Sequence, residues 1–249
     1  WAREIAADVD RRVEMQIVCS RGIPALGLAE PALVIASPVF ADSEAEALEA
    51  LAVLETCPVR DCALVAVPFA VTTMPEWYDA VMSNYPSGHR YATDNMWTHA
   101  PAADLVPRLL DVIADLPPHP AHFLWLTWGP SPARQDMAYS LEDEVYLALY
   151  GAWQDEEDDG AYADWSRSHM AAMADLATGV QLADENLGAR PARFASDDAM
   201  ARLDRIREAF VRSDRLRTHM EFLVRGGAGS SDGHAGGMWT RRDDVLIFH

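Results

Sequence analysis

Residues 121–128, AHFLWLTW, and residues 145–153, VYLALYGAW, decide how this chain folds. Both runs are short and dense in aromatic and aliphatic side chains, the composition that suits a pleated, half-buried surface. In the second run, alternation puts Tyr146 and Tyr150 on one side and Val145, Leu147 and Leu149 on the other. A loop over residues 129–140 separates the two strands. Further out, residues 10–20 (DRRVEMQIVCS) alternate Val13, Met15 and Ile17 against Arg12, Glu14 and Gln16, a strand wet on one side. Residues 32–38 supply another strand. Ser43 and Glu46 stand at capping-box spacing and open a helix with an apolar stripe of Leu48, Leu51 and Ala52. Residues 62–69 read as the returning strand, completing a strand-helix-strand unit.

A second unit follows the loop at 85–88. Residues 91–99 are extended, and Leu105, Leu109, Val112, Ile113 and Leu116 line one side of a helix. Pro107 is expected near that helix's first turn, where a missing N–H costs little, and Pro117-Pro118 stops it. Residues 155–160 form an acidic turn, after which Tyr162, Trp165, Met173 and Leu176 recur at helical spacing as far as Gly179. Ser196 caps a last helix expected to carry Met200, Leu203, Ile206 and Phe210 inward. The economical packing for this pattern is α+β: a largely antiparallel sheet, built from repeated strand-helix-strand units and covered by helices on one face. Residues 1–220 make one domain; in 221–249, the run 226–237 (GGAGSSDGHAGG) is a flexible linker by composition and the tail after it has no evident place.

Half of the 249 residues are hydrophobic, enough for a sizeable core. Lys and Arg number 20 against 39 Asp and Glu, and the net charge of -19 repels phosphate backbones, so nucleic acid is excluded as a partner. Cys19, Cys57 and Cys62 are too few for a disulfide framework, and the last two lack zinc-knuckle spacing. No apolar run approaches the roughly 20 residues of a membrane span. The opening Trp1-Ala2-Arg3-Glu4 is no signal peptide, so a cytoplasmic location is expected, with the chain beginning inside something longer.

Few motifs carry chemistry by themselves. His119 and His122 are separated by Pro120, which prevents a helix from aiming both rings alike, and the carboxylates of 155–159 lack the Gly and periodicity of a calcium loop. No metal is expected. Asp136, Glu142 and Glu144 are conceivable as a glycosidase pair, but no spacing brings two together. There is no Gly-x-Ser-x-Gly elbow, and Ser20, Ser37 and Ser83 have no nucleophile context.

The order of segments resembles the C-terminal half of FAD-linked oxidases of the vanillyl-alcohol oxidase and berberine bridge enzyme type, over about residues 1–220. The residues that carry the likeness are VEMQIVCSR, the run MAYSLEDEVYLALYGAWQD with Tyr139 and Trp153, Trp165, and GVQLADENL followed by RPARF and a final helix. The chain departs from the family's Tyr-x-Asn loop pattern at Val180, Gln181 and Leu182. It also departs from the aromatic-Pro-His-Arg pattern at Tyr139–Glu142 and from Asp-Pro-x-x-x-Phe at residues 211–216. The resemblance implies a substrate-binding cap, while FAD is bound mainly by an N-terminal domain that these residues do not include. The only glycine-dense run here lacks a following helix to cradle phosphate. It further implies transfer of hydride from an alcohol, sugar or secondary-metabolite group to the flavin, with a base taking the accompanying proton.

On that reading Tyr91, Trp97, Trp125, Tyr146 and Tyr150 are candidates to line the substrate, with core packing as the alternative for each. Gln181 and Asn186 are candidates to touch the flavin or substrate, with a loop-stabilising bond as the alternative. The general base is unassigned. Expected partners are a small-molecule substrate and the FAD-binding domain of the same enzyme, which would leave an exposed apolar patch on the isolated chain. The rival readings are a non-catalytic α+β ligand-binding module and an inactive truncated product.

Overall fold

The computed structural model describes residues 1–129, 141–182, 184, 186–211, 239–242 and 245–248. Among them a short helix α1 (Ala2–Ile5) precedes the hairpin β1 (Met15–Ile23) and β2 (Leu28–Ala36), then helices α2 (Glu44–Leu51) and α3 (Met74–Met82). Strand β3 (Arg90–Thr98), helix α4 (Ala102–Ala114), and strands β4 (His122–Thr127) and β5 (Val145–Trp153) follow. The short α5 (Asp159–Tyr162), α6 (Trp165–Ala172), α7 (Asp197–Val211), β6 (Trp239–Arg242) and β7 (Val245–Phe248) complete the order. The sheet runs β2-β1-β4-β5-β3-β7-β6 and every strand pair is antiparallel. The expected class, α+β with an antiparallel sheet covered by helices on one face, is the one observed.

All of β5 is buried, because strands pair on both of its edges and both of its faces are covered. Val145, Leu147 and Leu149 meet Met96, Phe123 and Trp125 from neighbouring strands, with Leu105, Leu109 and Val112 of α4 and Trp165 and Met170 of α6 packed on top. This layer is the main core; full burial of each such aliphatic side chain contributes roughly 1.5–3 kcal/mol. The stripe read along α4 is the buried one, although the helix starts at Ala102 behind the cap Pro101. Pro107 therefore lies just beyond the first turn and removes one helical N–H. In the β1–β2 hairpin Gly22 adopts φ 89°, and a Cβ there would stand 2.9 Å from the Leu28 carbonyl oxygen, so the register shift between Arg21 and Ile23 depends on glycine.

Three expectations are corrected. Residues 62–69 form no strand: a 3-10 turn covers Arg60–Cys62, and Leu64, Val65 and Val67 stand 76%, 56% and 79% exposed. Apolar, β-branched composition suits a strand, but a strand also requires a partner ladder, and Pro68 withdraws an N–H from this run. Helix α2 is capped as expected, Ser43 Oγ accepting from the Glu46 N–H at 3.3 Å, yet it buries Ala50 and Leu51 while Leu48 is exposed. Helix α7 is capped by Ser196 Oγ at the Ala199 N–H, 3.2 Å, but Met200 and Leu203 are only half-buried and Ile206 is exposed. At the other end of the chain β7 pairs with β3 at Arg90 and Tyr91, placing the last strands on the sheet edge. The linker at 226–237, Asp136, Tyr139 and the side chain of Phe210 lie outside the described residues.

Candidate functional site

The sheet face opposite α4 and α6 carries the chemistry. Register puts Trp97 beside Tyr146, Thr93 beside Tyr150 and His122 beside Tyr150 on this face. Trp97 lies 5.0 Å from Tyr146 and 5.6 Å from Trp128 between ring centres. Tyr150 stacks on His122 at 4.7 Å and 19°, and Tyr85, from the loop before β3, meets Tyr150 edge-on at 5.2 Å. Among the described residues, Tyr85 and the loop after Gly179 cover this surface. Trp125 points the other way, into the main core with its Nε1 donating to Thr127 Oγ1. Tyr91 sits at the far end of β3, packed with Ala121 and Ala152 and donating its hydroxyl to the Pro86 carbonyl at 2.9 Å. Of the five aromatic candidates, the structure brings Trp97, Tyr146 and Tyr150 together.

The returning loop is tied down at two places. Gly179 accepts from the Trp97 N–H at 2.8 Å, and Thr178 donates its N–H to the Trp97 carbonyl at 2.8 Å, so the loop starts as a bridge on the edge of β3. The Asn95 side chain then clamps the Gln181 backbone, taking its N–H at 2.7 Å and donating to its carbonyl at 3.0 Å. Further on, Arg190 reaches Asp94 through two bonds of 2.6 Å and the Asn95 carbonyl through a third of 2.8 Å. Burial pushes the Asp94 carboxyl above its ordinary range, and Arg190 and the Asn95 N–H offset part of that push. Between these anchors Asp184 Oδ2 accepts the hydroxyls of both Tyr146, at 2.7 Å, and Tyr150, at 2.8 Å.

Burial, reinforced by the Asp184 carboxylate, raises the Tyr146 phenol well above its ordinary value; burial and the neighbouring tyrosines do the same to Tyr150. Tyr85 is pushed up to about 12 by burial. His122 is wholly enclosed and driven down to about 4, and its Nδ1 faces the Pro120 carbonyl at 2.9 Å. The site therefore presents neutral phenols and a neutral imidazole around one carboxylate. Two buried polar atoms nearby, Trp128 Nε1 and Asn186 Oδ1, have no partner among the described residues. The orphaned Trp128 donor, on an indole packed against Trp97, matches an acceptor on the edge of a flat heteroaromatic ring such as an isoalloxazine. Among the described residues no group of three or more His, Cys, Asp or Glu is placed to hold a metal.

Sequence reading singled out Gln181 and Asn186 in this loop. For Gln181 the structure shows a backbone held by Asn95, and for Asn186 a buried side chain with an unpaired oxygen. It passed over Asp184, Asp94, Arg190, His122, Tyr85 and Trp128. The available signal was Asp94-Asn95, a charged and an amide residue adjacent between the apolar pairs Tyr91-Ala92 and Met96-Trp97.

The sheet thus carries helices on one face and an aromatic surface closed by a loop on the other. No model of a known protein family matches the chain. Sequence comparison finds FAD-linked oxidoreductase nodO of Hypoxylon pulicicidum, 26% identical over 223 residues, covering 87% of this chain and 48% of the relative. FAD-linked oxidoreductase janO of Penicillium janthinellum is 25% identical over the same coverage of 87% and 48%. Among solved structures, 6-hydroxy-D-nicotine oxidase from Arthrobacter nicotinovorans superimposes with a TM-score of 0.59 at 11% identity, over 80% of this chain and 45% of that one. Berberine bridge enzyme does so with 0.52 at 11% identity, over 74% and 38%. The chain thus resembles FAD-linked oxidoreductases in sequence and shares the fold of part of the vanillyl-alcohol oxidase and berberine bridge enzyme type. It spans about half the length of the curated relatives it matches.

Proposed function

We propose that this chain is the substrate-binding portion of an FAD-dependent oxidoreductase that oxidises an alcohol, sugar or secondary-metabolite group by hydride transfer to the flavin. The FAD is held mainly by a partner portion of the same enzyme. The observation that carries the reading is the loop-covered aromatic face on which the Tyr146 and Tyr150 hydroxyls converge on Asp184. Bound there, FAD supplies the two-electron oxidation. The chain's residues do the rest: Trp97, Trp128 and Tyr85 exclude water and orient flat molecules, Asp184 with its phenols handles a proton, and Asn186 Oδ1 and Trp128 Nε1 are poised to bond a ring edge. The apolar segment with Leu64, Val65, Val67 and Val71 exposed is a surface suited to the FAD-binding portion.

The test is reconstitution. Joined to the remaining half of the Hypoxylon relative and supplied with FAD, the chain should yield a yellow protein whose flavin absorbance bleaches anaerobically on adding an alcohol substrate. A flavin that no alcohol bleaches would refute the reading. The rival, a non-catalytic ligand-binding module, draws support from a cavity of about 490 Å³ lined by Phe40, Leu51, Phe69, Met74 and Trp77. Tight binding of an apolar ligand without flavin, and no flavin reduction after reconstitution, would favour it.

A further inference from the structure

We propose that the outer edge of β2 joins two copies of this chain, paired antiparallel about a two-fold axis at Val34 so that their sheets become one. The proposal is independent of the flavin reading, because the candidate site lies on β3, β4 and β5 while β2 ends the sheet. Among the described residues β2 has β1 on its inner side and no strand on its outer side. Leu33, Val34 and Ile35 are all exposed there. An open, apolar edge invites pairing, and folded chains that avoid it place Lys, a bulge or a covering element on the edge. The run 32–36, ALVIA, has no charge and keeps an unbroken register with β1.

Register fixes which backbone groups of β2 face outward. Val13 bridges Val39, with the Glu14 N–H donating to the Pro38 carbonyl at 3.0 Å and the Phe40 N–H to the Arg12 carbonyl at 3.2 Å. The same register continues from Gln16 opposite Ala36 to Arg21 opposite Pro31. Even-numbered residues of β2 therefore turn their backbone groups to β1, and odd-numbered ones turn theirs outward. Pro31 agrees with this, since it occupies an outward position, where a missing N–H costs no bond to β1. Leu33 and Ile35 each present an outward N–H and an outward carbonyl.

These groups are complementary to a second copy of themselves. An axis through Val34 sets Leu33 opposite the second copy's Ile35, so the two exchange N–H and carbonyl bonds, and the axis repeats the exchange on its other side. An axis between two residues would set outward groups against inward ones and form no ladder. Of the residue-centred axes, the one at Val34 lays the exposed Leu33-Val34-Ile35 triplet on itself. There Val34 faces its own copy in a non-hydrogen-bonded pair, with Cα atoms about 4.5 Å apart. Charge fits as well. The chain carries a net -19, yet residues 31–41 hold no charged side chain, and Glu30 falls opposite the second copy's Pro38 rather than another carboxylate. An interface of one strand per copy belongs to the small, transient class below about 1,200 Å², so the dimer dissociates on dilution.

Sedimentation equilibrium of the full chain tests this, after thermal unfolding shows each variant folded. Wild type should form a dimer whose population rises with concentration below about 1 mM. Leu33→Lys and Ile35→Glu should each weaken it by about tenfold or more, since each sets a charge against an apolar side chain. Combined in one chain, the two substitutions bring opposite charges together on both sides of the axis, and the dissociation constant should return to within about threefold of wild type. With Cys57→Ser and Cys62→Ser in place, Val34→Cys should oxidise to a disulfide-linked dimer, because the pair at the axis lies within the Cα span of about 4.4–6.8 Å that a disulfide bridges. A wild type monomeric at about 1 mM overturns the proposal. A dimer indifferent to both single substitutions, or one that the double substitution fails to restore, overturns it equally. The same run on the chain joined to the remaining half of the Hypoxylon relative decides between occupants. A dimer there with the same response to substitution supports the second copy, and a monomer assigns the edge to the other half and overturns the proposal.

Discussion

Replacing Arg190 with Met removes the cation that three hydrogen bonds hold against β3, and leaves Asp94 with a side chain 1% exposed and no counter-charge. Truncating one partner of a buried ion pair typically costs about 3–5 kcal/mol, because the remaining charge can be neither solvated nor paired. The upper part of that range applies here, since both Asp94 oxygens lose a 2.6 Å bond and the Asn95 carbonyl loses one of 2.8 Å. The cost depends on pH. Burial already raises the Asp94 carboxyl above its unfolded value, and loss of Arg190 raises it further. A carboxyl raised in the folded state binds protons more tightly there, so its stability contribution is complete below the unfolded value and is lost as pH rises through the folded one. Urea unfolding of Arg190→Met should therefore show a large deficit at neutral pH that shrinks as pH falls. The double variant Asp94→Asn/Arg190→Met should recover much of it. A deficit under about 1 kcal/mol, or one equal at neutral and mildly acidic pH, would refute the claim that this pair anchors the returning loop.

Other perturbations follow from the same structure. Leu105→Ala, at a fully buried position of the α4 stripe, should cost about 2–5 kcal/mol in urea unfolding, whereas Leu110→Ala on the exposed side should change stability by no more than about 0.5 kcal/mol. Gly22→Ala should destabilise the β1–β2 hairpin by about 1–3 kcal/mol, seen as a lower urea midpoint, since it strains a φ of 89° and drives a Cβ against the Leu28 carbonyl. His122, driven down to about 4 from an ordinary 6.5, binds its proton in the unfolded chain first, so stability should fall as pH drops through that interval. The slope should approach about 1.4 kcal/mol per pH unit and flatten in His122→Phe. A thiol reagent should modify exposed Cys62 in the folded protein and leave Cys19, buried and raised to about 11, untouched until unfolding.

What the sequence disclosed and what it hid divide along a physical line. Helix α4 was legible because it buries one periodic face written in consecutive residues, and β4 and β5 because their dense aromatic and aliphatic runs mark strands within a core. Residues 62–69 misled because apolar, β-branched composition says nothing about whether an edge is available to pair with. Helix α7 misled similarly: its amphipathic period is real, but among the described residues Ile206 finds no cover. The site was the least legible part. Asp184 meets Tyr146 and Tyr150 across 38 and 34 residues, and Arg190 meets Asp94 across 96, so no local spacing encodes either cluster. Trp125 and Tyr146 look alike as strand aromatics. Only the register, which pairs Trp125 with Leu147 and Leu126 with Tyr146, assigns them to opposite faces.

The central claim is that the aromatic face beneath the returning loop lies close to a flavin held by another part of the enzyme. Its most direct measurement is flavin fluorescence in the reconstituted FAD-loaded protein, compared with the same protein carrying Trp97→Phe and Trp128→Phe. The account predicts emission strongly quenched by the nearby indoles in the first and recovered severalfold in the second. Equal emission from the two, with FAD bound in both, would contradict it.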